Sequence, residues 1–409
     1  MSIRFGFRSP QSPEELSDLV AGSVSAKTPF EVRGRGSKHE VGRAVQAGGV
    51  VSTEGLSGIS LYEPTELVLS AQSGTPLAEI EQVLADHDQE LAFEPVDVGA
   101  VLDSGPAQAS IGGVFASNIS GSRRIRAGAA RDHLLGIKAI NGLGESFKSG
   151  GRVMKNVTGY DLARAFAGSW GTLGIMTEVT MKVLPRAKEV RTLLCYGQTD
   201  QSALEAMALS LDTPFEVSGA LHLEAALAAG FSDLSLTRGL TPVTAIRIEN
   251  FSNSVRYRMA RLKEKLAAYG PGDELDAARS RLFWQEVREL KPFQNSKRPL
   301  WRISTAPSRA AKLIATIRRS LDIRVMYDWA GGLIWLDSDL TTDAGAVEIR
   351  RALSEIGGHA TLIRAEPATR ASVDVFQPLE PSLLALTARL KAAFDPAGIL
   401  NPGRMYPGI

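Results

Sequence analysis

Ala109-Ser110-Ile111-Gly112-Gly113-Val114-Phe115-Ala116-Ser117-Asn118, continuing to Ser120-Gly121, is denser in small residues than an ordinary strand or helix requires. Without bulky side chains in the way, a flat ligand can lie directly beside the main chain, and Ser110 and Asn118 can offer it polar contacts. A tight turn entering a small-residue helix would read the same way. The flanking sequence has to decide between the two.

Two further glycine-rich segments flank it at a distance. Upstream, a short strand at Phe30-Glu31-Val32 runs into Arg33-Gly34-Arg35-Gly36-Ser37-Lys38, where two glycines allow successive backbone amides to point at one anion such as a pyrophosphate. A simple turn after a strand is the competing explanation. Downstream, Gly168-Ser169-Trp170-Gly171-Thr172-Leu173-Gly174-Ile175 spaces three glycines at intervals of three just before a strand. That strand shows period two, with Thr177, Val179, Met181 and Val183 on one face and Met176, Glu178, Thr180 and Lys182 on the other. It ends at Leu184-Pro185, and a domain boundary is expected there.

Around these segments the chain mixes α and β. Ser12-Pro13-Glu14-Glu15 starts a helix that turns Leu16, Leu19 and Val20 inward, and Thr75-Pro76 starts another that carries Leu77, Ile80, Val83 and Leu84. Beyond residue 186, strands are expected at Val243–Ile248, 300–304, 323–327 and 333–336, the last three in one sheet. Helices are expected over Val255, Met259, Leu262 and Leu266, and over Leu313, Ile314 and Ile317. No low-complexity tract or short repeat is present, which argues against a solenoid.

Composition narrows the function classes. At 409 residues the chain exceeds one ordinary core. Forty-six basic against 45 acidic residues give no global field for nucleic acid. The clusters Arg33 to Lys38 and Arg123-Arg124-Ile125-Arg126 suit local anion contacts, a solvated loop being the alternative for the second. No apolar run is long enough to span a membrane. Met1 to Phe5 does not open a secretory signal, so the cytoplasm is the expected compartment. The single cysteine, Cys195, excludes an internal disulfide and a cluster ligated by cysteines of this chain alone, and reads as core filler. The five histidines, at 39, 87, 133, 222 and 359, form no close pair of the kind zinc needs. Neither a Gly-x-Gly-x-x-Gly nicotinamide fingerprint nor a Gly-x-x-x-x-Gly-Lys-Ser/Thr phosphate loop occurs.

Taken in order, the Arg33–Lys38 loop, Ser110-Ile111-Gly112-Gly113, Gly159-Tyr160-Asp161-Leu162 and the Gly168–Ile175 segment resemble the FAD-binding domain of the para-cresol methylhydroxylase (PCMH) and vanillyl-alcohol oxidase family. The resemblance covers roughly residues 5 to 185. Phe394-Asp395-Pro396-Ala397-Gly398-Ile399-Leu400-Asn401-Pro402-Gly403-Arg404 resembles the C-terminal signature of FAD-linked oxidases. Lys155-Asn156-Val157-Thr158-Gly159-Tyr160-Asp161, Trp301-Arg302-Ile303-Ser304 and Tyr327-Asp328-Trp329 followed by Gly331-Gly332 are similar to motifs of the FAD-binding (E-type) subunits of bacterial glycolate oxidases.

The resemblance implies an α+β fold: a two-lobed PCMH-type FAD-binding domain over residues 1–186, an α+β cap domain with an antiparallel sheet over 187–390, and a segment 391–409 returning to the first. It implies that Arg33, Gly34, Arg35, Gly36, Ser37 and Lys38 wrap the FAD pyrophosphate. Ala109, Ser110, Ile111, Gly112, Gly113, Ala116, Asn118 and Gly121 would follow the pyrophosphate, ribityl chain and flavin. Gly168, Ser169, Gly171, Thr172, Leu173, Gly174 and Ile175 would hold the adenine side. Relatives that attach flavin covalently carry a histidine where Ser37 stands, so FAD is expected to be non-covalent, with His39 a loop histidine.

The departures from the family pattern concern catalysis. Single-chain hydroxyacid dehydrogenases of the family carry a His-x-Gly-Asp-Gly-Asn segment and a later Glu-His; this sequence has neither, and Gly357-Gly358-His359-Ala360 does not replace them. The catalytic residues are therefore left open, with Arg288, four residues after Trp284, and Arg302 as weak candidates to hold a substrate carboxylate. The implied function is that of an FAD subunit in a glycolate (2-hydroxyacid) oxidase complex, beside a catalytic FAD subunit and an iron–sulfur subunit, peripheral to the inner membrane face at most. A non-catalytic FAD scaffold or electron relay, and a self-sufficient 2-hydroxyacid dehydrogenase, are the alternatives.

Overall fold

The computed structural model describes residues 6–102, 109–153, 159–233, 236 and 240–409; residues 155–158 of the motif that begins at Lys155 lie outside them. The chain divides into two compact units, Met1–Ser120 with Ala129–Arg186 and Pro378–Ile409, and Gly121–Gly128 with Ala187–Gln377. The return to the first unit thus comes at Pro378, upstream of residue 391. The reason lies in helix Pro381–Phe394, whose last residue stacks on Phe147 and Phe166 at ring distances of 6.0 and 5.3 Å.

The first unit opens with three parallel strands, β1 (Gly6–Arg8), β2 (Glu31–Arg33) and β3 (Gly49–Ser52), in the order β1-β3-β2. Between β1 and β2 lies helix Pro13–Ala26, started as the sequence predicts by Ser12, whose hydroxyl accepts from the Glu15 amide at 3.2 Å, with proline in the first turn. It buries Leu16 and Val20 against Phe30, Val51, Ile175, Ile399 and Leu400. An antiparallel sheet follows, built from β4 (Ile59–Glu63), β5 (Val68–Gln72), β7 (Leu134–Asn141), β8 (Ser146–Gly150) and β9 (Gly174–Lys182) in the order β4-β5-β9-β7-β8. The short strands β6 (Gln89–Glu90) and β10 (Leu184–Pro185) pair with each other.

Helix Leu77–Ala85 buries Leu77, Ile80 and Leu84 but leaves Val83, at the margin of the buried face, only half-buried. The alternation expected for β9 is largely lost, because residues 174–181 are all buried apart from Glu178. The strand is central, between β5 and β7, and both faces are covered.

The second unit is built on one eight-stranded sheet. Its strands are β11 (Glu189–Tyr196), β12 (Val217–Leu223), β13 (Val243–Asn250), β14 (Pro271–Leu275), β15 (Leu300–Ser304), β16 (Ile323–Asp328), β17 (Leu333–Ser338) and β18 (His359–Arg364), in the order β14-β11-β13-β12-β16-β17-β15-β18. Every pairing is antiparallel. The strands expected around residues 300, 323 and 333 are β15, β16 and β17, adjacent in the sheet. Helix Ala310–Ile317 between β15 and β16 buries Leu313, Ile314 and Ile317. Cys195 is fully buried on β11, and burial pushes its thiol up to about 11, out of reach of thiolate chemistry.

Candidate cofactor-binding site

In the first unit, a cleft opens where the loop after β2, the start of helix Ile111–Ser117 and the turn before β9 converge. Ser110 begins that helix in an extended conformation and accepts from the Gly113 amide at 3.3 Å. A Cβ on Gly112 would meet Ser73 Cβ at 2.7 Å and Ser73 O at 2.8 Å; a Cβ on Gly34 would fall on the Ser110 hydroxyl. These glycines let three stretches of main chain approach one another. Gly36 adds a positive φ of 89° that turns the loop, and His39 Nδ1 lies 2.7 Å from its carbonyl oxygen.

The C-terminal signature braces this loop. Phe30 N donates to Ile399 O at 2.9 Å, Val32 N to Asn401 Oδ1 at 2.8 Å, and Asn401 Nδ2 to Trp170 O at 2.8 Å. The buried Arg404 donates to the carbonyls of Lys38 at 2.9 Å and Val41 at 3.1 Å, and its guanidinium lies 5.6 Å from the centre of the Trp170 ring. Lys391, also buried, donates to Thr172 O at 2.7 Å, Leu400 O at 2.8 Å and Asp395 Oδ2 at 2.6 Å. The loop that faces the cleft is therefore held from behind by residues more than 360 positions later.

The cleft has the electrostatics of an anion site. The Lys38 ammonium is buried, with the Ser37 hydroxyl at 3.5 Å, and burial lowers its pKa, partly offset by Asp97. Among the described residues no carboxylate forms an ion pair with it. Buried atoms without hydrogen-bond partners among the described residues include Arg33 Nε, Arg35 Nε and Ser73 Oγ. A buried donor left without an acceptor costs roughly 1–3 kcal/mol, and a phosphorylated ligand supplies acceptors. A backbone cradle with positive charge behind it fits a dinucleotide cofactor.

The structure brings Arg33, Gly34, Arg35, Gly36, Ser37, Lys38, Ser110, Gly112, Gly113, Ala116, Ser169, Gly171, Gly174 and Ile175 together around the cleft. It places the other sequence-predicted residues elsewhere. Ala109, Ile111 and Leu173 are core. Gly168 turns with φ 91° and donates to Phe115 O; Thr172 bonds the Ser169 carbonyl and receives Lys391. Asn118 Oδ1 accepts from the Arg131 amide at 3.0 Å, and Gly121 belongs to the second unit, where its carbonyl accepts from Trp329 Nε1 at 2.9 Å. The cleft also takes in Val32, His39, Thr53, Ser73, Ser117, Trp170, Met176 and Arg404. Trp170 lay within a quoted motif and Arg404 ended another, so both carried a signal; Thr53 and Ser73 carried none, being set by long-range packing.

In the second unit, Arg302 on β15 and Arg124 lie over the Trp329 ring, 5.2 and 4.5 Å from its centre. Burial and then Arg124 hold the Arg302 pKa down at about 10, with Asp328 opposing. His359, on the neighbouring strand β18, is held below its ordinary range by desolvation and then by Arg302, Arg124 and Arg350, although much of its surface meets solvent. Arg288 ends helix Ala277–Arg288, but the Trp284 ring is covered by Arg247 at 4.4 Å and its indole N–H donates to Thr192 at 2.9 Å.

Residues 6–150 match the FAD binding domain family, and residues 377–405 match the C-terminal domain of FAD linked oxidases. Glycolate oxidase subunit GlcE of Escherichia coli is 35% identical over 394 residues, covering 96% of this chain and 97% of that protein. The chain belongs to this family of FAD-linked oxidases. It is thus an FAD-binding oxidoreductase. Among solved structures, p-cresol methylhydroxylase superposes with a TM-score of 0.74 at 14% identity, covering 98% of this chain and 88% of that one. The 4-ethylphenol oxidase of Gulosibacter chungangensis gives 0.75 at 14% identity, covering 98% and 89%. At such identities these structures speak for the fold, which is of the PCMH type. Among the described residues of this flavoprotein, no helix is long and apolar enough to cross a membrane.

Proposed function

We propose that this flavoprotein is the FAD-bearing subunit of a complex that oxidises glycolate, or a closely related small 2-hydroxyacid, to the corresponding 2-oxoacid. The observation that carries the reading is its end-to-end likeness to glycolate oxidase subunit GlcE. Bound FAD supplies the hydride acceptor and the electron chemistry, while the protein supplies orientation and electrostatics. In this reading the first unit, which includes residues 378–409, carries FAD non-covalently, and the second unit forms the substrate side. The amides of Arg33 to Lys38 hold the pyrophosphate with Lys38 behind them, and the open backbone at Gly112 and Gly113 lies along the cofactor.

In this reading the electron acceptor is an iron–sulfur partner, as the resemblance to glycolate oxidase subunits implies, and its cluster lies on another chain because the one cysteine here cannot ligate it. A catalytic FAD subunit completes the assembly in the cytoplasm or at the inner membrane face. The second reading, an FAD scaffold without turnover of its own, is favoured by the absence of the family's histidine-rich segment, because hydroxyacid oxidation needs a group to accept the hydroxyl proton and an arginine cannot serve as one. Glycolate-dependent dye reduction, measured with the chain alone and co-expressed with its partners, tests both. Activity only in the complex, lost when this chain is omitted, supports the subunit assignment. Full activity of the chain alone would replace it with an independent dehydrogenase.

A further inference from the structure

The last helix, Pro381–Phe394, carries apolar surface that the chain itself does not cover. It is fixed at its C-terminal end, where the buried Lys391 donates to Thr172 O at 2.7 Å and Phe394 packs on Phe147 and Phe166. Of its first ten residues only Thr387 is even half-buried, and the others are exposed. Among them Leu383, Leu386 and Leu390 keep 48, 52 and 37% of their surface open to solvent. Spaced i, i+3 and i+7, these three fall within about 60° of one another around the helix and form a stripe roughly 10 Å long. Helix propensity does not ask for leucine there, since Glu, Gln, Lys and Arg form helix as readily and suit water better. Helix Ser252–Lys265 follows that rule: it turns Val255, Met259 and Leu262 inward and exposes Arg256, Arg261, Glu264 and Lys265.

In Pro381–Phe394 the one exposed charge is Arg389, which flanks the stripe one turn beyond Leu386 and forms no ion pair with any described residue. An apolar row of this spacing on a surface helix is the pattern by which one helix docks another. A second copy of this chain is the poorer occupant. Two copies meeting along the stripe alone would bury far less than the roughly 800 Å² per partner of a stable dimer. Antiparallel pairing about the midpoint of the stripe would also set the two Arg389 side chains on the same flank, about 8 Å apart along the axis, where they repel. A chain of different sequence escapes both limits, because it can add further contact area and set a carboxylate opposite Arg389.

Resting on the subunit reading above, we infer that the stripe of Leu383, Leu386 and Leu390 is the docking face for another subunit of the complex, which meets it with an apolar helical face and a carboxylate opposite Arg389. Titration of the FAD-loaded full chain with the purified catalytic FAD and iron–sulfur subunits tests this. Leu386→Glu weakens association at least tenfold, and Arg389→Glu at least threefold, at unchanged flavin content and melting temperature. Leu282→Glu, at an exposed leucine of helix Ala277–Arg288, leaves it unchanged. Leu386→Ala, which removes apolar area without adding charge and covers the case in which Leu386→Glu fails to fold, weakens association to a lesser degree. Undiminished association in the Leu386 or Arg389 variants overturns the docking face and leaves the subunit assignment intact. Dimerisation of the chain by itself, or binding to anionic phospholipid vesicles, that is lost in Leu386→Glu gives the stripe a different occupant and overturns the inference too. If the unaltered chain does not associate with those subunits at all, the subunit assignment falls and the docking face with it.

Discussion

The Lys391 ammonium donates to the carbonyl oxygen of Thr172 at 2.7 Å, joining the last helix to the glycine-rich turn that borders the cleft. The same ammonium meets Asp395 at 2.6 Å, and both partners are almost wholly buried. Removing one member leaves the other charge buried and unpaired, at a cost of roughly 3–5 kcal/mol. Lys391→Met is expected to lower the melting temperature by on the order of 10 °C and to reduce flavin retention. Thermal melts and flavin content check this; a variant as stable as the parent would show that the bridge carries nothing.

Gly113 and Gly34 should respond differently to side chains. A Cβ on Gly113 meets only Ser110 Oγ, at 3.2 Å, so Gly113→Val folds but fills the cleft and is expected to cut FAD affinity at least tenfold with little change in melting. On Gly34 the added carbon displaces the Ser110 hydroxyl, which caps the helix, so Gly34→Ala should lose about 1 kcal/mol of stability as well as flavin. FAD titration beside denaturant unfolding separates the two. Unaltered flavin content in folded Gly113→Val would move the cofactor elsewhere.

Ser37 stands where covalent relatives carry a histidine, and it lines the cleft beside Lys38. Acid precipitation is therefore expected to release essentially all flavin into the supernatant, at close to one per chain. Yellow, flavin-bearing polypeptide in the pellet would contradict non-covalent attachment.

The acid limb of stability should report His222. Its imidazole is fully buried on β12 with Nδ1 2.9 Å from Thr244 Oγ1, and burial lowers its pKa from 6.5 to about 4, with Asp200 opposing and Arg318 adding to the shift. Below pH 6.5 the unfolded chain takes up a proton that the folded chain refuses until about pH 4. Stability attributable to this group is thus fully present above pH 6.5 and lost as pH falls toward 4, up to about 3 kcal/mol. Urea unfolding at pH 7 and pH 5 should show the loss in the parent and a smaller loss in His222→Gln. Equal slopes would exclude His222 as the cause.

What could be read from the sequence was local. Ser12-Pro13 marked the first helix, and the apolar stretches at 300–304, 323–327 and 333–336 marked three neighbouring strands, because caps and short β runs are written in adjacent residues. β12 passed unnoticed: Val217–Leu223 is buried on both faces and shows no alternation. The three glycine segments pointed to the cleft through the residue type that close backbone approach demands. Asn118 and Thr172, expected as ligand contacts, make contacts within the protein instead: Asn118 Oδ1 accepts from the Arg131 amide, the Thr172 hydroxyl donates to Ser169 O, and Thr172 O accepts from Lys391. Thr53 and Ser73 reach the cleft only through the pairing of distant strands, which no sequence window records.

Because Ile399, Asn401 and Arg404 hold Phe30, Val32 and Lys38 in place, the cradle cannot be finished before those late residues have been made. A ribosome that has released the first 380 residues has produced nearly all of the cleft's lining and none of its bracing. Cofactor capture therefore waits for residues 399–404, and a stop or a nick just before Asn401 should yield a colourless protein despite an intact glycine framework.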